Sequence, residues 1–146
     1  MWQFEHTITT KAKAETIWNL YSDISTWTEW DKGIASALLE GSFVKGARGL
    51  LQPVGQDPLP FELTEVNPLQ GFSDVTDIPN AGIQIHFTHV LMESAGEMQV
   101  THRVTIRGIN SEQLGPKFGA HMVKGIPSTM ERLVALALDK ERQNEA

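Results

Sequence analysis

Hydrophobic and polar residues alternate over the first ten positions and again over several segments between positions 34 and 109. A period of two is typical of β-strands with one buried face. It predicts a first strand at residues 2–10. Glycines and Asn-Pro or Pro-Asn pairs, which favour turns, divide the later region into six more strands. These six are predicted at residues 34–40, 47–54, 59–66, 71–78, 82–93 and 96–109.

Helical spacing replaces this alternation in two regions. Between the first two strands, apolar residues three or four apart predict a short helix that follows a Thr10 N-cap and ends near Ser22. Asp23 is expected to cap a second, shorter helix. A final helix is predicted from Asn110 or Ser111 to about residue 142.

The order of elements predicts an α+β fold with a single domain over residues 1–146. Seven strands in antiparallel succession favour a curved sheet wrapped around the long C-terminal helix, because no other long helix is available to cover its buried face. Two short helices lie between strands 1 and 2. Gly115, Gly119 and Gly125 of the last helix either open a pocket or permit close packing, and the sequence does not decide between these.

Composition excludes several classes of function. Twelve basic and eighteen acidic residues give a net charge of −6, and without a basic cluster nucleic acid is not an expected partner. The absence of cysteine excludes disulfides and thiolate catalysis. No segment is apolar enough for membrane insertion, and the start MWQFEHTITT lacks a signal-peptide pattern. We therefore expect a cytoplasmic protein, and a homodimer is an open option.

The hairpin at residues 85–106, IHFTHVLMESAGEMQVTHRVTI, carries the most informative residues. A tight turn at Ala95-Gly96 would place His89 opposite His102 on the inward face. Three interpretations stay open. The favoured one is a structural pair that satisfies its own hydrogen bonds. The others are ligand contact without chemistry, and acid–base catalysis by imidazoles that titrate near neutral pH.

A metal site is a less favoured alternative. His6 lies on the inward row of the first strand and could join the two other imidazoles as a zinc ligand. The chain lacks a carboxylate or thiolate motif to accompany them and has no HExxH helix. We therefore predict neither a metal nor a cofactor.

The chain also resembles a known family, the polyketide cyclase/dehydrase branch of the START-like (SRPBCC) superfamily, which has the Bet v 1-like helix-grip fold. The resemblance spans nearly the whole chain and rests on motifs that occur in family order. They are Trp27-x-x-Trp30-Asp31, Glu40-Gly41-x-Phe43-x-x-Gly46-x-x-Gly49-x-Leu51-x-Pro53, Phe61-x-Leu63-x-Glu65-Val66-x-Pro68, Phe87-x-His89 and Thr101-His102-Arg103-Val104.

This resemblance implies a hydrophobic cavity between the sheet and the C-terminal helix. The expected function is binding of a small hydrophobic molecule, either lipid-like or aromatic and polyketide-like. The alternative is a cyclase/dehydrase-type enzyme with His89 and His102 as candidate acid and base. The family has no shared catalytic set to transfer. The predicted ligand-binding residues are Trp30, Phe61, Phe87, His89, His102, Phe118, His121 and Met122.

Overall fold

A computed structural model describes residues Met1–Glu145, and it has the predicted helix-grip architecture. One sheet contains seven antiparallel strands in the order β1-β7-β6-β5-β4-β3-β2. The two short helices carry the chain from one edge of this sheet to the other. The elements are β1 (Trp2–Thr10), α1 (Ala14–Ser22), a 3-10 turn (Ile24–Thr26), α2 (Trp27–Trp30), β2 (Ile34–Leu39), β3 (Arg48–Pro53), β4 (Leu59–Asn67), β5 (Gly71–Ile78), β6 (Ile83–Ser94), β7 (Glu97–Arg107) and α3 (Ser111–Glu145).

The helix starts show which capping predictions were correct. Asp23 accepts a hydrogen bond from the backbone N–H of Ser25, which confirms its role as a cap. The Thr10 prediction was wrong, because α1 begins later and follows Lys13, which provides no side-chain cap. The Thr10 hydroxyl instead accepts from the N–H of Ala12. At the other end of the chain, α3 continues past the predicted residue 142 to Glu145.

The β6–β7 hairpin has the predicted register. Ala95 and Gly96 have positive φ angles of 53° and 79°, as a two-residue turn needs if its twist is to match that of the strands. The turn places Ser94 opposite Glu97 and, further along, His89 opposite His102. A slip of one residue would have moved both imidazoles to the outer face of the sheet.

The core consists of two apolar clusters on the inward face, meaning the face toward α3. The first cluster joins the short helices to β4, β5 and the C-terminal half of α3, and it includes Tyr21, Trp27, Phe72 and Leu133. The second cluster includes Ile83, Ile85, Val104 and Ile106, and it packs against the N-terminal half of α3. Burial of each large apolar side chain contributes roughly 1.5–3 kcal/mol.

Close packing explains two of the three helix glycines. A Cβ atom at Gly115 or Gly119 would overlap the indole of Trp2, so these glycines let α3 approach β1. Gly125 is exposed, and an added Cβ atom there would have open space around it, so close packing does not explain this glycine. The backbone of α3 accordingly approaches the sheet most closely at β1 and β7. This places the helix toward one side of the inward face.

Candidate functional site

Buried Tyr21 and His102 and partly buried His89 form a group that we call the polar cluster. The ring centroids of the two histidines are 4.6 Å apart, and the rings meet edge to face. The phenol ring of Tyr21, from the buried side of α1, lies 5.4 Å from the His89 ring and 5.8 Å from the His102 ring. Strand alternation points both imidazoles inward, and helical spacing points Tyr21 toward them.

A hydrogen bond connects two members of this cluster. The hydroxyl oxygen of Tyr21 lies 2.8 Å from Nε2 of His102. Burial raises the pKa of Tyr21 and lowers that of His102 well below its usual range, and the charges of His89 and His6 would lower the latter further. Both groups are therefore neutral at pH 7. The hydrogen bond therefore joins two uncharged groups, and the tautomer of His102 decides which of them donates.

His89 is oriented by Phe72 on the neighbouring strand. Its Nδ1 lies 3.2 Å from the Phe72 carbonyl oxygen, which can only accept, so Nδ1 carries the proton. The two rings also stack at 3.9 Å between centroids. Burial lowers the pKa of His89 to about 4, although the hydrogen bond to Phe72 partly opposes this shift. Nε2 of His89 is therefore a free hydrogen-bond acceptor and potential base at neutral pH.

His6 lies next to the polar cluster. It stands opposite His102 in the β1–β7 register, as His102 stands opposite His89 in the β6–β7 register. The three histidines thus form a row across neighbouring strands. Within residues 1–145, however, no group of three or more His, Cys, Asp or Glu side chains is arranged to hold a metal ion.

Asp74 is a site residue that our sequence reasoning missed. It belongs to the inward row of β5 and is only 7% exposed. Burial raises the pKa of its carboxyl group to about 7, and no hydrogen bond or opposite charge compensates for this shift. The alternation of Phe72, Asp74 and Thr76 along β5 could have revealed it, because this places a carboxyl group in an apolar row.

The structure places the predicted ligand-binding residues in three environments. Phe87, Phe118 and Met122 are half-buried and pack against the second apolar cluster. Phe61 is buried in the first cluster. His121 is exposed on α3, unlike the members of the polar cluster. Its role in binding stays a prediction.

Trp30, another predicted ligand-binding residue, lies inside the protein. It is 3% exposed, and its indole N–H lies 3.3 Å from the hydroxyl oxygen of Thr26. Its ring centroid is 6.4 Å from that of His102. Trp27 is also buried and donates its indole N–H to the Tyr21 carbonyl. Trp30 is therefore positioned to support the polar cluster and not to form a partner surface.

Two surface depressions lie away from these residues. One is lined by residues 55–59 and Pro79, and the other lies along the β5–β6 turn and includes Asp77, Gln84 and Gly108. Neither contains a histidine. Within residues 1–145, no helix is both long and apolar enough to cross a membrane.

Solved structures with the same fold include proteins with different descriptions. A hypothetical protein from Helicobacter pylori matches with a TM-score of 0.77 and 11% identity, covering 92% of this chain and 87% of that one. Ara h 8.0201 matches with a TM-score of 0.74 and 11% identity, covering 94% and 97%. The di-domain ARO/CYC protein StfQ from the steffimycin biosynthetic pathway matches with a TM-score of 0.78 and 9% identity, covering 95% of this chain and 51% of that one. At these identities the likeness shows the fold alone.

Sequence comparison places the chain in a family. No curated protein matches it significantly. The family model described as "Polyketide cyclase / dehydrase and lipid transport" matches residues 1–140. This match covers both core clusters, the polar cluster and nearly all of α3. The protein therefore belongs to the polyketide cyclase/dehydrase and lipid transport family.

Proposed function

We propose that this protein binds a small hydrophobic molecule between α3 and the inward face of β5–β7. The polar cluster would lie at one end of this site and orient the ligand. Phe87, Phe118 and Met122 would supply apolar contacts. The family match supports this type of function, since the family's description names polyketide cyclases, dehydrases and lipid transport.

The observation that supports this proposal is that several apolar side chains between α3 and the inward face of the sheet are incompletely buried. Phe4, Phe87, Phe118 and Met122 all pack against the second cluster, yet each remains only partly buried. A well-packed interior leaves few voids around such side chains. The accessible apolar surface that they retain is the type that lines small-molecule sites.

Binding of the uncharged dye Nile red tests this proposal. We expect saturable binding near one dye per protein, with a rise in fluorescence as the dye enters an apolar environment. Met122→Trp should fill the space beside Phe118 and weaken binding at least tenfold. The matched control is Met92→Trp, the same replacement at a methionine that lies on β6 and is 58% exposed. Absence of saturable binding, or equal affinity in the two variants, would contradict the proposal.

A second candidate function is acid–base catalysis of the cyclase/dehydrase type. The specific observation in its favour is the fixed tautomer of His89, which leaves Nε2 free to accept a proton beside the Tyr21–His102 pair. A poly-β-ketone thioester is a suitable test substrate, with cyclised and dehydrated products measured by mass spectrometry. Replacing both histidines by glutamine should abolish turnover but change Nile red affinity only a few-fold, since proton transfer typically contributes 10²–10⁴ to the rate.

Three further expectations from the sequence stay predictions. They are a cytoplasmic location, the absence of a nucleic-acid partner, and the open option of a homodimer. Native mass spectrometry of protein purified from its own host would measure subunit number and any retained ligand together.

A further inference from the structure

We propose that Asp74 and His89 form a selective polar end of the binding site, and that this end prefers a neutral ligand carrying a phenol or enol hydroxyl. This inference rests on the proposed function and adds a ligand class to it. A ligand with a carboxylate at the same position should bind less well.

The strand register brings these two residues together. In the β5–β6 pairing, Phe72 stands opposite His89 and Asp74 stands opposite Phe87. Asp74 and His89 are therefore diagonal neighbours on one face, a relationship that separates positions by about 7–8 Å. Phe87, which stands opposite Asp74, lies two residues from His89 on the same inward row of β6.

Asp74 lacks the partner that a buried carboxyl group ordinarily has. It is more than nine-tenths buried, and neither a hydrogen bond nor a nearby charge from residues 1–145 offsets the cost of burial. A buried polar group without a partner destabilises the folded protein. A ligand group that accepts a hydrogen bond from the protonated carboxyl would remove this cost.

The two side chains together would best bind a group that both donates and accepts a hydrogen bond. Nε2 of His89 can only accept, because Nδ1 holds the proton that bonds to Phe72. The protonated carboxyl of Asp74 can donate. A hydroxyl group meets both requirements, since its O–H donates to His89 and its oxygen accepts from Asp74.

A carboxylate meets only one of these requirements, because it can accept from Asp74 but cannot donate to His89. It has no proton for His89, and the inward rows of β1, β5, β6 and β7 contain no lysine or arginine to neutralise it. On α3, the partly buried Arg132 interacts with Asp31, at the end of α2, and not with Asp74. An anion beside Asp74 would therefore be desolvated without compensation.

Four probes with the same ring system can test this selectivity. They are naphthalene, 2-naphthol, 2-naphthoate and 2-naphthylmethylamine, with affinities measured at pH 6 by displacement of Nile red. We expect 2-naphthol to bind at least tenfold more tightly than naphthalene or 2-naphthoate. Asp74→Leu should remove the advantage of 2-naphthol over naphthalene. Asp74→Asn, which retains an N–H donor, should preserve that advantage within a few-fold.

The outcomes separate this inference from the function on which it rests. If naphthalene binds but 2-naphthol gains nothing over it, or if Asp74→Leu preserves the gain, hydrophobic binding stands and selection by Asp74 is wrong. An amine that binds more tightly than 2-naphthol would show that Asp74 acts as an anion, which also overturns the proposal. If none of the four probes displaces Nile red, and Nile red itself does not bind, the proposed function fails as well.

Discussion

A hydrogen bond of 2.8 Å joins the hydroxyl group of Tyr21 to Nε2 of His102. These residues are 81 positions apart in the sequence, so the bond ties α1 to β7 across the inward face. Both groups are buried. Because neither group can replace the other with water as a hydrogen-bond partner, the bond should contribute to stability. It should also fix the ring orientation of His102 beside His89.

Tyr21→Phe should lower the free energy of unfolding by about 1–3 kcal/mol, because it leaves Nε2 of buried His102 without a hydrogen-bond partner. The change is measured by urea denaturation at pH 7. Tyr21→Phe combined with His102→Phe removes both polar groups and should be less destabilising than the sum of the single replacements. Strict additivity would show that the two side chains do not interact.

Acidification should destabilise the protein between about pH 6.5 and pH 4. Burial lowers the pKa of His89 to about 4, and that of His102 well below its usual value. The unfolded chain therefore binds more protons than the folded chain in this range. The stabilising contribution of these histidines is fully present above pH 6.5 and is lost as the pH falls through the folded values.

Urea titrations at a series of pH values measure this effect. His89→Gln should make the free energy of unfolding less dependent on pH between 6.5 and 4. His121→Gln is the control and should leave the slope unchanged, because His121 is exposed on α3. An identical slope in wild type and His89→Gln would mean that His89 is not neutral in the folded protein.

The contribution of Asp74 to stability should depend on pH in the opposite sense to that of the histidines, and Asp74→Asn should remove it. The carboxyl pKa rises from about 3.9 in an unfolded chain to about 7 in the fold, so its stabilising contribution is present below pH 4 and is lost as the pH rises through 7. Relative to wild type, the variant should therefore gain roughly 2–4 kcal/mol in unfolding free energy between pH 4 and pH 8. A constant difference between the proteins would contradict a buried, uncompensated carboxyl group.

Local rules predicted most of the fold, because the strands alternate strictly and strong turn residues separate them. The Ala95-Gly96 turn is the best example, since two residues at positive φ define the register of the eleven residue pairs between β6 and β7. The pairing of His89 with His102 followed directly. Thr10 was misjudged for a local reason, since its hydroxyl forms a turn with Ala12 that delays the helix.

The candidate site was less predictable, because its contacts join elements that are distant in the sequence. Tyr21 follows a helical pattern that predicts burial but does not name His102 as its partner. The three helix glycines look alike in the sequence, yet only two of them meet Trp2. Asp74 was missed because strand spacing identifies its face, while its lack of a charge partner depends on side chains from other strands.

Gly119→Ala should destabilise the protein, whereas Gly125→Ala in the same helix should not. Alanine favours a helix by about 1 kcal/mol over glycine, and at Gly125 nothing lies within 4 Å of the added Cβ atom. At Gly119 the Cβ atom would overlap the Trp2 indole, and overpacking typically costs 1–3 kcal/mol. Thermal denaturation should therefore show a higher midpoint for Gly125→Ala and a lower one for Gly119→Ala. Equal midpoints would mean that α3 does not press against Trp2, and that its closest approach to the sheet lies elsewhere.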